Sequence, residues 1–222
     1  MNHKEEELKL LKDEIIQMWK LVISQLEKAK IAFLTNDVEL ALEIAQTEKR
    51  VNSMELKVER NCENYIALYN PVAIDLRLVL SIMKISISLE RIGDYAEGIA
   101  HHIIDRDCNN IDNELIEELE IEKMFGVLLN MITNALVIFD LEETKSSRKI
   151  LKKDKEVNRI YKMAFERLES YVLKNPKDAL CGLKLILLIR KLERFGDHSG
   201  NIVEEIVFFL DAKVLKHKGK LE

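Results

Sequence analysis

An all-α fold of two tandem three-helix bundles is what this sequence predicts, and three observations carry the prediction. The 222 residues include only seven Gly and two Pro, too few breakers for a strand-rich chain, among an abundance of strong helix formers. Both prolines follow an asparagine, in Asn70-Pro71 and Asn175-Pro176, 105 positions apart. Two longer landmarks recur at nearly the same distance. EKRVNSME (48–55) matches DKEVNRIY (154–161) at an offset of 106, and LERIGDYAEGI (89–99) matches LERFGDHSGNI (192–202) at 103. Landmarks with so constant an offset amount to an internal repeat, which divides the chain into residues 1–107 and 108–222.

The elements follow in order. A long helical pattern over 4–34 ends at TND (35–37), which caps a second helix over 37–69. Asparagine is a favoured N-cap and proline a favoured first helical residue, so Asn70-Pro71 opens a third helix over 71–106. The second copy repeats the plan with helices over 112–140, 143–174 and 176–216, the last opened by Asn175-Pro176.

Composition excludes several classes. The 47% of hydrophobic residues supports a sizeable core. No apolar run approaches the roughly 18 residues of a membrane span, and the N-terminal MNHKEEELK is charged where a signal peptide is apolar, so a cytoplasmic protein without membrane insertion is expected. Cys62, Cys108 and Cys181 are odd in number and lack C-x-x-C spacing, which reads as small buried apolar residues, not a disulfide framework or a cysteine zinc site. With a net charge of −5 and mixed signs along every segment, no basic stripe for nucleic acid is present, and KVLKHKGK reads as a solvated tail. Phe208, Phe209 and Leu210 belong to the core or to a partner contact.

The repeated LER segments place acids inside apolar helices. At about 100° per residue, Val72, Leu76, Val79, Leu80, Met83 and Ile87 form one stripe, and Glu90 and Asp94 continue it within about 20° of its centre, which aims them inward. Ile186 and Ile189 precede Glu193 and Asp197 on the same face, and Val207 resumes it. Antiparallel neighbours meet at equal distances from their turn, which puts Glu48 level with residue 92 and Asp154 beside Asp197, with Asn158 one turn away. Three buried carboxylates cannot all stay charged without compensation. Salt bridges from Lys49, Arg50, Lys155 or Arg194 are one solution. A metal ion is the other: oxygen-rich sets suit iron, manganese or magnesium, whereas zinc takes more His or Cys. His101 and Glu204, each seven residues past the aspartate, are further candidates on the same face, and Gly93 and Gly196 mark a close approach of helix or ligand. No E-x-x-H pair, nucleophile arrangement or glycine-rich phosphate loop is present, so an enzyme is not expected.

PVAIDLRLVLSIMKISISLERIGDYAEGI (71–99), together with RKLERFGDHSGNIVEEI (190–206), resembles the PhoU family of bacterial phosphate-specific transport accessory and regulatory proteins, over nearly the whole chain. The resemblance implies a pair of three-helix bundles whose E-x-x-x-D motifs are Glu90 with Asp94 and Glu193 with Asp197. Some members carry multinuclear iron or zinc clusters there. The D-K-x-V element of the family falls on Asp154, Lys155 and Val157, and in the first half on Glu48, Lys49 and Val51. Glu55 continues that element, with Tyr161 as its counterpart, and Gly98 stands where the second copy has the oxygen donor Asn201. Also implied is a homodimeric negative regulator of phosphate uptake and of the starvation response, binding the ATPase subunit of a phosphate ABC transporter and a phosphate sensor histidine kinase. The alternatives are a PhoU-like partner of a sodium-phosphate cotransporter and a structural helical adaptor without metal.

Overall fold

In the computed structural model, which describes residues 3–105 and 113–214, every long helix arises where apolar residues recur at helical spacing and stops where a local residue can satisfy the free backbone groups. Helix α1 (His3–Thr35) buries Leu11, Ile15, Met18, Trp19, Val22 and Leu26 along one side. Asp37 caps α2 (Val38–Tyr69) as expected, its carboxylate accepting from the Leu40 amide at 2.9 Å.

Asn70 departs from expectation. It closes α2 in the left-handed conformation (φ 43°, ψ 58°), and α3 (Ala73–Ile104) begins two residues after Pro71, behind an extended Val72. Asparagine tolerates the left-handed region that a helix C-terminus favours, and this use outcompetes its N-capping. Asn175 likewise ends α6 (Ser147–Lys174), and Pro176 starts a 3-10 turn (Pro176–Asp178) that leads into α7 (Ala179–Asp211). Asn70-Pro71 is thus a link between helices, whereas Asn175-Pro176 does open the helical run that leads into α7, though its first turn is 3-10.

The expected helix over 112–140 is two helices, α4 (Asn113–Glu118) and α5 (Ile121–Asp140). They break at Glu120, whose φ is 53° and whose carboxylate accepts from Arg159 at 2.6 Å and faces Arg167 at 3.4 Å. Against the cost of burial, those cations hold Glu120 below its ordinary pKa, and Arg159 together with Lys123 pushes Glu156 to about 2. Convergent charges therefore pin a break that no Gly or Pro announces.

Helices α1, α2 and α3 form one three-helix bundle and α5, α6 and α7 the other, with α3 packed along α7 and α1 against α5. The halves share one continuous apolar core. Across the join, Trp19 donates to the Ile132 carbonyl at 3.1 Å and Ser81 to the Glu205 carbonyl at 3.2 Å. The Phe139 ring lies 5.7 Å from Trp19 and 5.9 Å from Phe209. Phe209 is buried, Leu210 packs on the core and Lys84 lies over the Phe208 ring, so this segment serves internal packing.

Helix α5 corrects the expectation about apolar runs: by length and composition alone it is long and apolar enough to cross a membrane. Its Met124, Phe125, Leu128, Met131, Ile132 and Phe139 are core residues of the second bundle, the usual origin of such a helix. Cys62 is buried as expected, its thiol pushed up to about 12 by burial and nearby acids. Cys181 is instead half-buried and disulfide-bonded, and Cys108 lies outside the described residues.

Candidate functional site

The stripe expected on α3 is rotated from the true core. Val72, Leu80 and Ile87 are exposed, whereas Leu78, Val79, Ile82, Ile85, Leu89 and Ile92 are buried. Helix α3 is packed by α1, α2 and α7 at once, so it is apolar over most of its circumference and periodicity alone cannot choose the central line. Glu90 and Asp94 therefore lie on the shoulder of the core, half-buried rather than aimed into it, as do Glu193 and Asp197 on α7.

The deeper acids come from the preceding helices. Glu48 on α2 is 7% exposed, and Asp154 on α6 is half-buried. Burial and then the neighbouring Glu97 and Asp94 push the Glu48 carboxyl above its ordinary value, against a hydrogen bond from Asn52 and the charge of Lys49. Asp154 is raised by burial and by Asp197, against a hydrogen bond from Asn158, whose Nδ2 donates at 2.6 Å. Glu90 and Glu193 rise for the same reasons, burial first and then Asp94 or Asp197. The predicted third carboxylate is thus present in each half.

The Val three residues after each deep acid explains the glycines. A Cβ on Gly93 would stand 3.1 Å from Val51 Cγ1, and one on Gly196 would stand 3.2 Å from both Val157 Cγ1 and Asp154 Oδ1. Each glycine lets its helix close on the neighbouring valine, and at Gly196 also on the acid itself.

The remaining candidates divide. Glu55 is half-buried near Glu59, Arg91 and Glu90, and its carboxyl is raised mainly by burial. His101 is exposed and stands 3.7 Å from Glu97, not against the deep acid. Glu204 is half-buried and Asn201 exposed. Gly98, which replaces the asparagine, lies under Lys191 of α7, so a Cβ there would collide with that side chain. Three participants escaped the sequence reading. Glu97 lies close enough to Glu48 to help raise its carboxyl. Asn52 repeats Asn158, a match visible in the VN pairs of the two copies. Gln25 of α1 is buried beside Gly93 with Oε1 unpaired, where the second copy has Leu128.

Cations are present but peripheral. Arg91 meets Asp94 at 3.2 Å and Glu90 at 3.5 Å, and Arg194 meets Asp197 at 3.2 Å and Glu193 at 3.7 Å. Both arginines are about half exposed, so these pairs contribute little and leave the deep acids uncompensated. Glu48 Oε1 and Asp154 Oδ1 are buried without a hydrogen-bond partner. One orphaned carboxylate oxygen per half, facing an E-x-x-x-D pair, is a donor set of the kind a hard cation takes. Among the described residues no three acids, histidines or cysteines are drawn close enough to hold an ion as they stand.

The PhoU domain family model matches residues 15–103 and again 121–206, one match in each half of this geometry. The chain belongs to the PhoU family. It is 31% identical over 220 residues to the phosphate-specific transport system accessory protein PhoU homolog of Pseudomonas putida, covering 96% of this chain and 82% of that one. The PhoU homolog of Aquifex aeolicus is 32% identical over 212 residues, covering 96% and 95%. Among solved structures, the phosphate transport system regulatory protein PhoU from Streptococcus pneumoniae superposes with a TM-score of 0.86 at 27% identity, over 96% of this chain and 99% of that one. PhoU from Pseudomonas aeruginosa gives 0.85 at 30% identity, over 94% and 99%. The all-α fold and the resemblance drawn from the LER segments are both borne out by these matches.

Proposed function

We propose that this PhoU-family chain is a regulator of phosphate transport that works as a metal-binding adaptor without catalysis of its own. The observation that carries the metal reading is the repeated acid shelf with one orphaned carboxylate oxygen in each half, at Glu48 and Asp154. Glu48 with Glu90, Asp94 and Glu97, and Asp154 with Glu193 and Asp197, would hold the ions, with Asn52 and Asn158 orienting the deep acids. A bound cation supplies the positive charge that the half-exposed arginines do not. Iron, manganese or magnesium suits an all-oxygen set, and zinc is the weaker match.

The relatives' names speak of accessory proteins of phosphate-specific transport systems. On this reading the chain acts in the cytoplasm as a homodimer, touches the ATPase subunit of a phosphate ABC transporter and a phosphate sensor histidine kinase, and represses uptake and the starvation response when phosphate is plentiful. The second reading, an adaptor whose acids only make salt bridges, is favoured by the Arg91 and Arg194 pairs.

Two measurements test the proposal. Metal analysis of protein purified without chelator should find bound cation, and replacing Glu193 and Asp197 together by alanine should remove the second-half metal and leave the first. No metal in the unchanged protein, or the same content in the double variant, leaves the salt-bridge adaptor standing. Deleting the gene should give unregulated phosphate uptake in phosphate-rich medium, and normal repression there would overturn the regulatory reading.

A further inference from the structure

The first-half acid shelf carries, on one flank, a lysine that belongs to the other half. Helices α3 and α7 pack together, and at their crossing residues related by the repeat meet each other: Tyr95 and His198, 103 positions apart, have ring centres 5.8 Å apart. The same offset matches Gly98 to Asn201 and Ser88 to Lys191. Lys191 of α7 runs across Gly98 of α3. Its Cδ and Cε lie 3.2 and 3.0 Å from where a Cβ on Gly98 would stand, and the ammonium is closer still. A side chain at 98 would collide with that ammonium, so the long cation and the glycine belong together. In the second half the matching places hold the short, neutral Ser88, which is buried, and the exposed amide of Asn201.

Gly98 follows Glu97 directly and lies one turn beyond Asp94, about 40° round the helix from it. Residues four apart on a helix have Cβ atoms about 5–6 Å apart, so the ammonium set against Gly98 stands on the α7 flank of the acid pair. Charge gives it a role there. Arg91 and Arg194 make matching pairs in the two halves and do not set them apart. The first half has a further acid, Glu97, where the second has Gly200, and Lys191 is the further cation beside it. We propose that Lys191 is a tethered counter-ion of the first-half shelf, and that its charge weakens the binding of a divalent cation there. The inference rests on the metal reading above and adds a control to it: α7 of the second half sets the cation affinity of the first.

The test isolates the first-half site in the full chain by replacing Glu193 and Asp197 with alanine. Protein stripped with chelator is titrated with manganese(II) alone, and free ion is read by electron paramagnetic resonance. In that parent, Lys191→Met keeps the reach of the side chain and removes its charge, and should tighten manganese binding at least about fivefold. Lys191→Arg keeps the charge and should bind like the parent. Lys191→Ser with Gly98→Asn, which copies the second-half flank, should bind at least as tightly as Lys191→Met. Equal affinity in Lys191→Met and the parent overturns the proposal. So does an equal gain in Lys191→Arg, because packing and not charge then controls the site. If the unchanged chain binds manganese but neither the parent nor Lys191→Met does, the first half takes no cation and this inference fails while the second-half metal reading stands. If the unchanged chain binds none, the metal reading falls and this inference with it.

Discussion

Glu48 and Asp154 show how a single buried residue can carry a stability cost. Each keeps a carboxylate oxygen buried without a partner, and each has its carboxyl raised by burial and by acidic neighbours. For an acid raised in the folded state, the penalty is present in full above the folded pKa and is relieved as pH falls through it. In metal-free protein, then, Glu48→Gln should stabilise at pH 7 by about 1 kcal/mol, an advantage that shrinks as pH falls through the raised pKa and the native glutamate takes up its proton. Glu156 runs the other way. Held at about 2 by Arg159 and Lys123, it contributes stability above its unfolded value that is lost as pH falls toward about 2. Denaturant titration across pH should therefore give metal-free wild type its maximum in mild acid. A monotonic loss of stability from neutral pH downward would contradict the placement of the deep acids.

At the scale of the element, the glycines separate close approach from tolerance. Gly126→Ala on α5 meets nothing within 4 Å and should stabilise by up to about 1 kcal/mol through helix propensity alone. Gly196→Ala must push against Val157, Asp154 and Leu128 together, and should destabilise by about 1–3 kcal/mol. Equal effects at the two sites, read from denaturation midpoints, would show that the shelf is loose. The repeat made these contacts legible in outline: the pairing of EKRV with ERIG and of DKEV with ERFG is a pairing of helices in both halves. The rotation of the shelf was not legible, because α3 is apolar nearly all round. Nor was the break at Glu120, since it depends on Arg159 and Arg167, which are close to it only after α6 has folded back.

For the whole molecule, sequence repetition hides the degree to which the halves depend on one another. Two matching units read as two bundles in tandem, yet Trp19 of the first donates into the second, Phe139 of the second packs on Trp19, and the end of α7 pairs with Arg77 and Lys84 of α3. A fragment ending at residue 107 would lose both the carbonyl that Trp19 donates to and the Phe139 ring packed on it, and would expose the part of α3 that packs on α7. Each such loss weighs heavily against a net stability of only about 5–15 kcal/mol for a domain. The two bundles should consequently unfold together. Calorimetry of the chelated full chain should show one transition whose calorimetric and van't Hoff enthalpies agree, and the first-half fragment should lack the near-ultraviolet signal of a packed Trp19. Added divalent cation should raise the transition temperature of the intact chain as a single peak, since a ligand of the native state stabilises the whole cooperative unit by mass action. Two resolved transitions, or a first-half fragment with native tertiary signal, would show that the shared core is a contact between independent domains.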